Sequence, residues 1–213
     1  AAAQSVTITG VENTTTSCTA TGVVSIGNSF AINSLPDVSG TTVASNDICL
    51  GDDEVITVTT NLADGSYIFT YDQAAPNALS NQTGTVVVSG GTGTLTIDGA
   101  NFSSATANQL VTITGVESTT TACGTASALS ISTSFAINEI PNTSTTLINV
   151  ADICGGADAE AMITAGSLTD GTYQFVYNLG APNTATGLTA NVTISSGTGM
   201  FTIAAANLAS ASA

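Results

Sequence analysis

The chain of 213 residues contains no lysine, no arginine and no histidine, so no side chain in it carries positive charge at neutral pH. Neutralising the phosphates of nucleic acid or of anionic lipid takes Lys or Arg, which sets both kinds of partner aside. The same absence removes the imidazole base, the Schiff-base lysine and the cationic clamp on which most catalytic constellations depend. Carboxylate chemistry alone survives. A glycosidase needs two carboxylates roughly 5–10 Å apart across a sugar-sized cleft, and the densest acidic cluster, Asp52-Asp53-Glu54, falls in a turn. No enzymatic activity is expected. Tryptophan is also missing. No run approaches the roughly 18 apolar residues of a membrane helix, so no membrane insertion is expected. Ala1-Ala2-Ala3-Gln4 resembles no secretory signal, which requires a basic segment before an apolar one, and the chain reads as an interior or processed piece of a longer polypeptide.

What remains is sheet chemistry. Only 7% of residues are charged, all of them acids, giving a net charge of −15, while 43% are hydrophobic. Disorder pairs high net charge with low hydrophobicity; here Val, Ile and Thr recur in short alternating runs, as strands with one buried face require. In Val55-Ile56-Thr57-Val58-Thr59-Thr60 and Leu110-Val111-Thr112-Ile113-Thr114, apolar and hydroxyl side chains take turns.

Self-comparison yields the organisation. Val6-Thr7-Ile8-Thr9-Gly10-Val11-Glu12 returns 105 residues later as Val111-Thr112-Ile113-Thr114-Gly115-Val116-Glu117, and the offset holds through Cys18/Cys123, Phe30/Phe135, Pro36/Pro141 and Cys49/Cys154. One inserted residue then makes it 106, as in Asp64-Gly65-Ser66-Tyr67 against Asp170-Gly171-Thr172-Tyr173, Ala75-Pro76-Asn77 against Ala181-Pro182-Asn183, and Gly91-Thr92-Gly93 against Gly197-Thr198-Gly199. That period is too long for a solenoid and is the size of one sandwich domain. Proline cannot donate to a ladder and suits a linker, so Pro36 and Pro141 mark the boundaries. Residues 36–140 are expected to form a complete module, 1–35 the last strands of a preceding one, and 141–213 the first part of a following one. In the central module strand A is expected at 41–44, B at 54–60, C at 66–71, E at 83–89 continued by 93–97, F at 109–116 and G at 128–137. Short strands separated by Asp64-Gly65, Gly90-Gly91 and Asp98-Gly99 turns point to an all-β fold of tandem immunoglobulin-like Greek-key sandwiches, about 105 residues per repeat.

Four motifs carry a resemblance to a known family. A Cys-x-Gly at Cys49-Leu50-Gly51, an Asp-Gly-x-Tyr leading into strand C, a Gly-Thr-Gly bend in the E region and a second cysteine after strand F at Cys123 all occur here. Together they resemble the repeat modules of giant Bacteroidetes cell-surface adhesins of the SprB gliding-motility type, and the resemblance spans essentially the whole chain. It implies export by type IX secretion and a place in an extracellular, cell-surface filament.

The remaining candidate sites are few. Asp52, Asp53 and Glu54 suit calcium by chemistry, since hard cations take several carboxylate and carbonyl oxygens, but the second copy thins the cluster to Ala157-Asp158-Ala159-Glu160 and no Asp-x-Asp-x-Asp-Gly loop is present. A solvated turn is the plainer reading, and no cofactor is expected. Cys18, Cys49, Cys123 and Cys154 suit disulfides in a secreted protein. Either Cys49 pairs with Cys123 inside the central module, or Cys49 pairs with the F–G loop of the following module and staples neighbours end to end. Tyr67, Phe69 and Tyr71, with their copies Tyr173, Phe175 and Tyr177, share one face of strand C, as a sugar platform or, more simply, as core. Asn13, Asn81, Asn101, Asn142 and Asn191 head Asn-x-Ser/Thr triplets at a frequency chance explains. The expected function is a structural and adhesive repeat segment of a long surface filament or stalk, with neighbouring modules of the same polypeptide and an external surface or polysaccharide as partners. The competing expectation is calcium-dependent glycan capture on the acidic turns.

Overall fold

The computed structural model describes residues 2–22, 24–125 and 127–210, and within them the chain is built of β-strands and two single-turn 3-10 segments. It divides into two compact units, Ala1–Glu139 and Ile140–Ala213.

The first unit begins with an antiparallel hairpin of β1 (Ala2–Ile8) and β4 (Ile26–Ile32), whose long connection carries the two-residue pair β2 (Glu12–Asn13) and β3 (Cys18–Thr19). Eight strands follow: β5 (Thr42–Ala44), β6 (Ile48–Cys49), β7 (Glu54–Thr59), β8 (Gly65–Gln73), β9 (Leu79–Val88), β10 (Thr92–Ile97), β11 (Thr106–Ser118) and β12 (Ile131–Asn138). They form a three-stranded sheet in the order β10-β7-β5 and a five-stranded sheet in the order β6-β12-β11-β8-β9. Alternation decides which side chains turn inward. In β7 the burial pattern is strictly alternating, with Ile56 and Val58 inside and the residues between them exposed. Ile56, Val58, Leu95 and Ile97 from one sheet and Phe69, Val86, Val111, Ile113 and Phe135 from the other make a single core, a sandwich in which both apolar faces are covered.

Two features depart from expectation. The stretches 83–89 and 93–97, expected as one E strand, belong to different sheets: β9 pairs with β8, and β10 pairs with β7. Between them Gly90 and Gly91, at φ 58° and 79°, make a two-residue turn with both centres left-handed, the primed geometry that hairpins prefer. The strands cross closely just beyond it. A Cβ on Gly93 would lie 2.6 Å from Val86 Cγ1 and 2.8 Å from the Val87 carbonyl, which is why the Gly-Thr-Gly motif ends in glycine. The second departure is β6, two residues running parallel to the end of β12. It is too short to leave a periodic signal.

The second unit holds β13 (Thr146–Val150), β14 (Ala159–Ala165), β15 (Gly171–Leu179), β16 (Ala185–Ile194) and β17 (Thr198–Ile203), with sheets ordered β13-β14-β17 and β15-β16. Register shows how it maps on the first. Ile97 faces Glu54 and Ile203 faces Ala159; Thr92 faces Thr59 and Thr198 faces Thr164. So β13, β14 and β17 stand for β5, β7 and β10, while β15 and β16 stand for β8 and β9. Ala161, Ile163, Val192, Ile194, Phe201 and Ile203 form its core.

One residue of the first unit fits its surroundings badly. Gln73, at the end of β8, is buried, and neither end of its amide finds a hydrogen-bond partner among the described residues. Its counterpart in β15 is Leu179. An orphaned buried amide costs about 1–3 kcal/mol, so Gln73→Leu is expected to raise the melting temperature of the first unit by a few degrees in calorimetry, about 1 kcal/mol or more of added stability.

Candidate functional site

The acidic cluster does not converge. Asp53 accepts a hydrogen bond from the Gly99 N–H at 2.8 Å, and Asp158 accepts one from the Ala205 N–H at 2.7 Å, so in both copies this carboxylate ties the turn before the second strand to the 3-10 segment after β10 or β17. Asp52 is exposed. Glu54 is turned inward and is only 1% exposed, with one long contact, 3.4 Å, from the Asn46 N–H. Its structural counterpart is the buried Ala159. Among the described residues no group of three or more His, Cys, Asp or Glu side chains stands close enough to hold a metal ion. A melting curve in millimolar calcium is expected to superimpose on one in EDTA; a calcium-dependent rise would restore the cation site.

Burial pushes the Glu54 carboxyl above the usual carboxylate range, the Asn46 N–H pulls it down, and Asp47 adds to the upward push. An acid whose pKa is raised by folding stabilises the fold while protonated, and that contribution is lost as pH rises through the raised value. At neutral pH the buried charge is therefore a burden. Glu54→Gln is expected to melt higher than the parent at pH 7, with the difference vanishing as pH falls below the carboxylate range.

The other motifs prove structural. The Asp64 carboxylate accepts from the Gly90 N–H at 2.8 Å, and the Tyr67 hydroxyl donates to the Ala63 carbonyl at 2.9 Å, a bond repeated by Tyr173 to Thr169 at 3.0 Å. Tyr67, Phe69 and Tyr71 are buried, so in the first unit this row is core and no sugar platform. The Asn of each Ala-Pro-Asn motif is a strut that sequence reasoning did not foresee. Asn77 accepts from the Ser103 and Ser104 N–H groups and donates to the Ser104 carbonyl and to Gln109 Oε1; Asn183 exchanges a reciprocal pair with Ser210, each 2.7 Å.

All four cysteine thiols are free. Cys49 lies opposite Asn138, at the far end of β12, whereas Cys123 lies in the connection between β11 and β12. The eight residues of β12 at about 3.3 Å each put more than about 20 Å between them, against the 5–6 Å of a disulfide. The Cys49–Cys123 pairing is therefore not available in this fold.

Each unit leaves one apolar feature uncovered among the described residues. In the first unit β8 has a neighbour on both sides; in the second, β15 has only β16, and its other edge is unpaired among the described residues. Along that edge Phe175 and Tyr177 are half-buried where Phe69 and Tyr71 are buried, and they line an apolar groove of about 220 Å³ with Ile148, Ile163 and Phe201. A second cleft, of about 380 Å³, is lined by Ile153, Leu179, Asn183 and Leu208 among others. The β1–β4 hairpin, meanwhile, is exposed at every residue of both strands.

Among the described residues no helix is long and apolar enough to cross a membrane. Comparison with protein-family models and with curated proteins finds no match to this chain.

Proposed function

We propose that this chain is a structural segment of a long extracellular repeat protein, a stalk or adhesive filament on a cell surface, assembled from immunoglobulin-like Greek-key modules. The observation that carries the reading is the recurrence of whole hydrogen-bonding devices at the repeat offset: Asp53 and Asp158, Tyr67 and Tyr173, Asn77 and Asn183 each serve the same purpose in two successive copies. Such duplication serves a building block, in which each unit repeats the same job. Strand order supports the module type. Taking β5, β7 and β10 as A, B and E, and β9, β8, β11 and β12 as C′, C, F and G, the two sheets match the A-B-E and C′-C-F-G arrangement of immunoglobulin-like sandwiches. Every ionisable side chain that is charged at neutral pH is an anion, so parallel filaments repel one another and exposed edges resist non-specific pairing. Without Lys or Arg the surface also offers trypsin-like proteases no cleavage site. The resemblance to gliding-motility adhesin repeats agrees with this role and with export by type IX secretion.

Glycan capture has less behind it, because of the acids it relies on Asp53 accepts from a backbone N–H and Glu54 is buried, which leaves Asp52 alone exposed. The test is immunogold labelling of intact cells that make the parent polypeptide, using Fab fragments raised against residues 36–140. Gold spaced along extracellular filaments, with attachment to surfaces blocked by the same Fab, is the expected result. Label confined inside the cell, or attachment unchanged by saturating Fab, would overturn it.

A further inference from the structure

We propose that successive repeats of the parent polypeptide are stapled by disulfides, each joining the cysteine at the exit pole of one repeat, Cys49 here, to the cysteine in the β11–β12 connection of the next, the copy of Cys123. The inference rests on the repeat-protein reading above and is independent of the adhesive role.

The two cysteines mark opposite poles of the complete module. The chain enters at Pro36, beside the β11–β12 connection that carries Cys123, and leaves past Asn138, where Cys49 lies. Backbone hydrogen bonds hold each in place. The Cys49 carbonyl accepts from the Asp52 N–H at 3.0 Å around Gly51, whose φ of 95° suits glycine, and the Leu50 N–H donates to the Asn138 carbonyl at 2.8 Å. The copy closes in the same way, with the Ala157 N–H on the Cys154 carbonyl at 3.1 Å and Gly156 at φ 81°. That turn is the physical reason for the Cys-x-Gly motif. At the entry pole the Cys123 carbonyl accepts from the Ser118 N–H at 3.0 Å, and Ala122 turns the loop at φ 53° as Ser17 does at φ 52° before Cys18. Thr119 pins this loop to the Ser66 carbonyl through its N–H at 3.1 Å and its hydroxyl at 2.8 Å. Neither thiol is buried: Cys49 is exposed and Cys123 half-exposed.

What brings two poles together is seen at the junction inside the first unit. Asn33 is the copy of Asn138 in the preceding repeat. The exit-pole cysteine of that repeat therefore belongs beside Asn33, as Cys49 lies beside Asn138. The next residue, Ser34, one Cα step of about 3.8 Å away, lines a cleft of about 300 Å³ with Leu35, Pro36, Ser118 and Thr121. Thr121 belongs to the loop of Cys123, and its carbonyl accepts from the Cys123 thiol at 3.7 Å. A short linker thus delivers the exit pole of one repeat to the cysteine loop of the next, whereas the alternative partner within the module stands more than about 20 Å off.

The bond forms by exchange with a disulfide-donor oxidoreductase outside the cytoplasm. One cysteine thiolate attacks the donor disulfide and displaces a donor thiolate; the second attacks the mixed disulfide and displaces the other. One S–S bond breaks, one forms, and the donor carries away two electrons and two protons. Each junction then has two covalent connections, the peptide linker and the staple. Relative motion, the default for modules with small interfaces, is thereby restrained.

The test takes the parent polypeptide as isolated from the cells that make it, alkylates free thiols under native conditions and digests it without reduction at acidic residues. Asp47 and Asp52 then bound the Cys49 peptide, and Glu117 and Glu139 the Cys123 peptide. Mass spectrometry is expected to find the Cys49 peptide joined to the cysteine-loop peptide of the following repeat, and the Cys123 peptide joined to the Cys-x-Gly peptide of the preceding one. Cys49→Ser is expected to open one new thiol to alkylation, in the following repeat, with Cys123 still bonded. A Cys49–Cys123 cystine, release of Cys123 by Cys49→Ser, or alkylation of both cysteines would each overturn the staple. Immunogold labelling reads location and this map reads connectivity, so alkylated thiols on labelled extracellular filaments would overturn the staple alone.

Discussion

A sheet with an apolar face has to be covered, and in this sandwich the aromatic row on β8 lies between the opposing β10-β7-β5 sheet and the single hairpin that flanks it within its own sheet. Tyr67, Phe69 and Tyr71 are buried because Ile56, Val58, Leu95 and Ile97 face them from the other sheet and β11 lies beside β8, bringing Val111, Ile113 and Val116 into the core, with Phe135 following on β12. Much else depends on that placement. β6 exists as a strand because the end of β12 is there to pair with it, and Gln109 reaches Asn77 because β11 holds it over the β8–β9 turn. In the second unit, where no such hairpin stands among the described residues, the same residue types leave Phe175 and Tyr177 half-buried and Ile153 outside any strand. The hairpin is thus the part on which the finished core depends.

The two copies act as an internal control on which details matter. The carboxylate strut, the tyrosine hydroxyl bond, the Ala-Pro-Asn strut and the close crossing at Gly93 and Gly199 recur, and each fixes a backbone path. Buried side chains are freer to change. Glu54 becomes Ala159, Gln73 becomes Leu179, and Leu95 becomes Phe201, which packs against Tyr177 at 4.9 Å. The first two exchanges replace poorly satisfied polar groups by apolar ones, so neither polar group is required for the fold. Volume and patterning are what cores chiefly need.

Much of this is legible in the residues. Alternation locates β5, β7, β8, β11 and β12 to within a few positions, because each has one face in the core and one in water. The repeat alone makes residues 2–8 the equivalents of 107–113. The division of the expected E strand between two sheets is not legible, since 83–89 and 93–97 alternate in the same way and only pairing partners distinguish them. Nor is the inward turn of Glu54, which a run of three acids disguises as a solvated turn. The Asn77 strut also escapes: its partners Ser103, Ser104 and Gln109 lie some thirty residues away, and no local pattern announces a contact of that range.

The central claim is that the hairpin, and not the sequence of the aromatic strand, decides whether the sandwich is closed. Hydrogen exchange in dilute solution compares β8 and β15 within one molecule. The β8 amides turned toward β11 are expected to exchange orders of magnitude more slowly than the matching β15 amides on the free edge, since protection tracks the cost of opening each segment. Equal protection of the two strands in a monomeric sample would contradict the account, because β15 would then be closed without its cover.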